Sequence, residues 1–185
     1  MTPAQFEHVT RLREYPGFLQ KHVQAGGNLH TCANGEINCT IKGVHAKVSV
    51  LWNFEAPAGT GDTHASVMRG SKASLAIPQG EAEGHQPVLY VEPSENTEMA
   101  NFATALERAL PHLQATYPGV GLKRNDTGWE VTVPASYPVG HEAHFGQVTG
   151  QFLTYVANGA LPAWEVPNML AKHYTTTHAL SIAKS

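Results

Sequence analysis

Four clusters of side chains in this 185-residue chain could do chemistry. Asp62-Thr63-His64 follows a glycine-rich loop. An Asp and a His two apart at a strand start point to the same side, as a pocket-lining pair or proton relay requires. The same residues also read as a turn aspartate bound to local backbone beside a surface histidine. His141-Glu142-Ala143-His144 approaches the zinc-helix pattern but puts its second His at i+3 instead of i+4. Its imidazoles share a helix face and could hold a metal. Alternatively, the helix start could offer free N–H groups to a carboxylate or hydroxyl oxygen, or could simply cap and pack. Asn34-Gly35-Glu36-Ile37-Asn38, with Lys42 and His45 beyond, gathers donors and acceptors suited to sugar hydroxyls. A type I′ turn with solvated flanks explains those residues equally. Trp164-Glu165 before Pro167 reads as a capped helix start with the indole packed as a staple.

Other chemistries lack their residues. The chain has neither a G-x-S-x-G elbow nor a Walker sequence. Gly59-Thr60-Gly61 and Gly70 lack the strand, glycine loop and helix that a pyrophosphate needs, and Tyr117 to Gly121 follows a helix, not a strand. The net charge of −3 and the absence of a basic run exclude an electrostatic nucleic-acid surface. No apolar stretch is long enough to span a bilayer, and the N-terminal residues lack the apolar core of a secretion signal, so a cytoplasmic protein is expected. Cys32 and Cys39 flank Asn34-Gly35; a two-residue turn there would set Cys39 opposite His30 and leave both thiols free.

The elements that must position these groups follow from periodicity. A short helix starts near Pro3 and stops before Pro16-Gly17, and a second short apolar segment ends at Gly26-Gly27. Asn28 to Ala33 and Glu36 to Lys42 are expected as a hairpin around Asn34-Gly35. Val44, Ala46, Val48, Val50, Trp52 and Phe54 alternate with polar residues, the mark of a strand with one core face. A second hairpin spans Thr63 to Ile77 and turns at Arg69 to Lys72; Pro87 to Glu92 adds a strand. Met99, Phe102, Leu106, Leu110 and Leu113 stripe a helix that Ser94 or Asn96 would cap and Pro111 would kink or reset. A hairpin over Val120 to Val133 turns at Asn125 to Gly128, and two helices, about Glu142 to Ala157 and Glu165 to Ala183, close the chain.

Hairpins followed by a separate set of helices predict an α+β fold. The expectation is one domain over 1–185, with a mixed, mainly antiparallel open sheet and helices packed on one face. The semi-polar outer face of such a sheet would serve a two-fold homo-oligomer.

The stretch Asn34 to Ile77, its hairpin VMRGSKASLAI, and the closing run Gly140 to Ser185 together resemble the C-terminal domain of the glucose–fructose oxidoreductase/inositol dehydrogenase/rhizopine-catabolism (Gfo/Idh/MocA) family. The subgroup described as putative oxidoreductase, C-terminal domain, is the nearest in pattern. The resemblance implies a parent enzyme whose separate Rossmann domain binds NAD or NADP and which acts on a sugar or polyol hydroxyl. This domain would supply substrate contacts and oligomer interfaces. The family's dinucleotide glycines, its Glu-Lys-Pro lysine and its Asp-x-x-x-His pair have no counterpart here. No catalytic, cofactor-binding or metal-binding residue is therefore transferred to this chain. Asn34, Glu36, Asp62, His64, His141 and His144 remain as substrate-lining candidates. The chain is expected to be inactive alone. The alternatives are a non-catalytic dimerisation or carbohydrate-binding module, and a small metal hydrolase using His64, His141 and His144.

Overall fold

The computed structural model describes residues 1–30, 34–52 and 58–185. Helix α1, Pro3–Thr10, begins with proline in its first turn and a reciprocal cap: Thr2 Oγ1 accepts the Gln5 N–H while Gln5 Oε1 accepts the Thr2 N–H. A 3₁₀ segment, Gly17–His22, follows. Strands β1 (Gly35–Ile41) and β2 (Val44–Val50) form an antiparallel ribbon. Strands β3 (His64–Arg69), β4 (Ala73–Gln79) and β5 (Leu89–Pro93) precede helix α2 (Met99–Thr116), and β6 (Gly121–Arg124) and β7 (Trp129–Thr132) come after it. Helices α3 (His141–Asn158) and α4 (Glu165–Ala183) complete the chain.

The class is the α+β one expected, with antiparallel open sheets. The strands divide between two sheets: the β1–β2 ribbon and a five-stranded sheet ordered β3-β4-β5-β7-β6. The chain forms two compact units, Met1–Glu55 with Leu161–Ser185, and Ala56–Ala160.

The second unit holds the larger sheet, and register sorts its residues by face. Met68 pairs with Leu75, Leu75 with Val91, and Val91 with Trp129, so these four share one face. Val91 and Trp129 are buried there, and the ring of Phe102 from α2 lies 5.5 Å from that of Trp129. Arg124 covers the indole at 5.0 Å, a cation–π contact. Arg69, Tyr90, Glu130 and Lys123 line the opposite face, as the expected semi-polar outer face requires. The hairpins turning at Gly70 and at Asn125 form where expected. Asn125 Oδ1 accepts N–H bonds from Thr127 and Gly128 at 3.1 and 2.7 Å, so the side chain closes the turn.

Two local expectations are corrected here. Helix α2 starts after Glu98, which makes no side-chain cap; Ser94 lies four residues earlier, in a turn in which its carbonyl accepts the Thr97 N–H. The helix continues through Pro111, so the proline does not reset it.

In the first unit, Phe6 and Leu29 are buried, Phe6 packs edge-on to Tyr15 at 4.8 Å, and Leu29 exchanges backbone bonds with Met1. The main correction falls on the ribbon. Asn34-Gly35 is not its turn. Lys42 and Gly43, with φ of 49° and 83°, form a two-residue turn, and Ile41 pairs with Val44. Two consecutive left-handed residues match the twist of the strands, so Lys-Gly displaces the better-known Asn-Gly signal. Cys39 consequently lies opposite Ala46, not His30, with a free thiol. Residues 31–33, which hold Cys32 and the end of the strand expected over Asn28 to Ala33, and Phe54 lie outside the described residues. The period-two partition of β2 holds, since Val44, Ala46, Val48 and Val50 share a face with Ile37, Cys39 and Ile41 of β1 while Glu36, Asn38, His45 and Lys47 take the other, but the expected core face does not form: Val44, Val48 and Val50 are exposed.

Candidate functional site

Asn34 and Glu36 are brought together at the base of the ribbon, where they line a groove of about 560 Å³. That volume lies within the range of small-molecule sites. Its floor is the apolar face of the ribbon, with Ile37, Val48 and Val50; its far wall is the last turns of α4, with Thr176, Ala179, Leu180 and Ala183. Alternation in the ribbon and the i, i+3, i+4, i+7 spacing in the helix put these apolar groups face to face. His30 and Lys184 stand at the groove too.

Asn34 acts first on the backbone: its Oδ1 accepts the N–H of Trp52, tying the start of β1 to the end of β2. Glu36 projects from the polar face of the ribbon. Lys47 Nζ lies 2.6 Å from one carboxylate oxygen, and Asn38 Nδ2 donates to the other at 2.9 Å. The hydrogen bond from Lys47, then that from Asn38, holds the Glu36 carboxyl below its ordinary pKa. A carboxylate stabilised in its charged form is a poor proton acceptor but a good hydrogen-bond acceptor. The Glu36 carboxylate serves the polar face of the ribbon, opposite the apolar floor of the groove.

The remaining candidates belong to the second unit. Asp62 is exposed before β3, and His64 Nε2 lies 2.9 Å from Ser66 Oγ, two residues along its own strand. Among the described residues no hydrogen bond joins Asp62 to His64, so the relay reading finds no support in geometry. His141 and His144 open α3, both exposed; the His141 ring sits 5.6 Å from Phe145, and its Nδ1 lies 3.9 Å from the Glu142 carboxylate. Among the described residues no three His, Cys, Asp or Glu side chains converge as metal ligands. Trp164 is 58% exposed, so the expected staple does not form.

Two features had little or no signal in the sequence. The α4 wall formed by Thr176, Ala179, Leu180 and Ala183 carried no local sign that it would face the ribbon. His85 follows Gly84 with both residues left-handed (φ of 59° and 60°), and among the described residues its buried Nδ1 has no hydrogen-bond partner. No motif marks it.

The fit of a dinucleotide can be tested on the strand-to-helix connections, where a pyrophosphate would sit. Between β5 and α2 the chain runs Ser94 to Glu98 without glycine; between β7 and α3, Gly140 alone precedes the helix. Among the described residues neither connection provides a glycine cradle. No hydride-transfer step is assigned to this chain.

Over the full chain, a crystal structure of a putative oxidoreductase from Parabacteroides merdae superposes with a TM-score of 0.92 at 51% sequence identity. The match covers 100% of this chain and 42% of that one, so the chain spans about two-fifths of that protein's length. No curated protein matches it. Residues 1–184 match the family described as "Putative oxidoreductase C terminal domain", and the chain belongs to that family.

Proposed function

We propose that this chain is the substrate-side part of an NAD- or NADP-dependent oxidoreductase of the Gfo/Idh/MocA type, acting on a sugar or polyol hydroxyl. In this reading the cofactor and the catalytic base reside in the portion of the longer protein that the chain does not span. The observation that carries it is the match of the whole chain to an oxidoreductase C-terminal domain that makes up two-fifths of a structural relative. The groove chemistry supports a positioning role. The groove of about 560 Å³ is of a size to hold a small polyol, and holding a substrate in line is itself worth about several kcal/mol of barrier. Asp62, His64, His141 and His144 stay assigned only as residues that could contact substrate in the longer enzyme.

The test is a pair of titrations on the 185-residue chain. NADH and NADPH fluorescence should show no saturable binding. Calorimetry with a panel of monosaccharides and cyclitols should show weak binding that Ala179→Trp, which fills the groove from its α4 wall, abolishes. Stoichiometric nucleotide binding by the chain alone would refute the assignment.

A further inference from the structure

A second cavity, of about 390 Å³, lies in the unit of the five-stranded sheet, between the β3–β4 turn and the first turns of α2. Its walls are fixed by the fold. The Lys72 carbonyl accepts the Ser94 N–H and the Thr97 hydroxyl, both at 2.9 Å, which ties the turn to the segment leading into α2. Phe102, on the α2 wall, is held against Trp129. A preformed hollow of this size suits a small molecule. Two of its lining side chains carry opposite charge: Lys72 comes from the turn and Glu98 from the α2 side. Among the described residues neither makes an ion pair, with each other or with anything else. Asn96 and Asn101 add amides that both donate and accept, while Phe102 and Ala105 supply an apolar wall.

This pattern discriminates between ligand classes. A molecule entering the cavity strips water from both charges, and a charge so stripped needs a partner. A neutral sugar brings no charge to either. A simple anion serves Lys72 but sets like charge near Glu98, and a simple cation does the reverse. A ligand with one charge of each sign answers both walls at once. We propose that this cavity binds a small zwitterion of the amino-acid class. Its carboxylate meets Lys72 and its ammonium meets Glu98. The two asparagine amides bond the polar atoms between them, and its side chain lies along Phe102 and Ala105. Lys72 and Glu98 are both exposed at the cavity rim, so the attraction weakens as salt is added. The proposal is independent of the oxidoreductase reading and of the groove beside α4.

Calorimetry on the 185-residue chain tests it. The probes are L-amino acids with uncharged side chains; acetate, methylammonium and glucose serve as controls that each lack one or both charges. The amino acids should bind saturably and the three controls should not. Lys72→Ala and Glu98→Gln should each weaken binding by roughly tenfold, because each leaves one charge of the ligand without its partner. Lys72→Glu combined with Glu98→Lys restores one charge of each sign, and a zwitterion can turn round to meet them. That double variant should regain binding that Lys72→Glu alone loses, an outcome a merely structural role for either residue would not give. Far-UV circular dichroism should be unchanged throughout, since both side chains are exposed. Failure of every amino acid to bind would overturn the proposal. So would binding of acetate or glucose as tight as that of the amino acids, or a charge-swapped variant that stays as weak as Lys72→Glu.

Discussion

Lys47 and Glu36 lie on opposite strands of the ribbon, one diagonal step apart, with Nζ 2.6 Å from the carboxylate. Cross-strand register creates this pair; the two residues are eleven apart in sequence and share no helix face. The pair holds Glu36 ionised on the polar face of the ribbon.

Lys47→Ala should raise the pKa of Glu36, because it removes the largest of the contributions that lower it. A carboxyl-detected NMR titration of wild type and variant checks this. The sign for stability follows. A carboxyl whose folded pKa lies below its unfolded value contributes above the unfolded pKa, and that contribution is lost as pH falls through the folded pKa. Acid should therefore loosen the ribbon in the wild type below the ordinary carboxylate range. In the variant that acid-dependent step should shrink. Both side chains are about half exposed, so the effect should be small and weakened by salt.

The Lys42-Gly43 turn makes its own prediction. Gly43→Ala places a side chain at φ of 83° and should cost about 1 kcal/mol or more. Lys42→Gly, at φ of 49°, should be neutral or slightly stabilising for the folded turn despite the added chain entropy. Amide exchange in β1 and β2 would read both effects locally.

Two glycines should respond in opposite directions to alanine. A Cβ at Gly128 would collide with the carbonyl oxygen of Val91 and crowd the backbone of Glu92, atoms that cannot move without breaking the β5–β7 pairing. Gly128→Ala should destabilise by roughly 2 kcal/mol or more in urea unfolding. Gly146, inside α3, has nothing within 4 Å of such a Cβ, and Gly146→Ala should stabilise the helix by about 0.8–1 kcal/mol.

Phe102 ties α2 to the sheet through Trp129. Phe102→Ala should cost about 2–4 kcal/mol, somewhat less than a fully buried phenylalanine, and should red-shift the Trp129 emission as water reaches the indole. Phe152→Ala, removing a side chain 58% exposed on α3, should leave the chain's stability within about 0.5 kcal/mol.

Much of this protein was legible in its residues. Alternation from Val44 to Val50 fixed both the strand and its faces, because a period of two admits one partition of side chains. Pro3, Asn158-Gly159 and Pro167 bounded helices through backbone rules that act over a few residues. The turn of the first ribbon was misread because Asn-Gly and Lys-Gly both satisfy the local geometry, and only the pairing of seven residues on each side selects between them. Asn34 and Glu36 were legible as polar candidates. Their environment was not, because the wall opposite them comes from α4, some 140 residues later in the chain. Local backbone preference is written in neighbouring residues. Which faces meet, and which carboxylate finds its lysine, depends on burial and register summed over the whole fold, and the tertiary structure alone decided those.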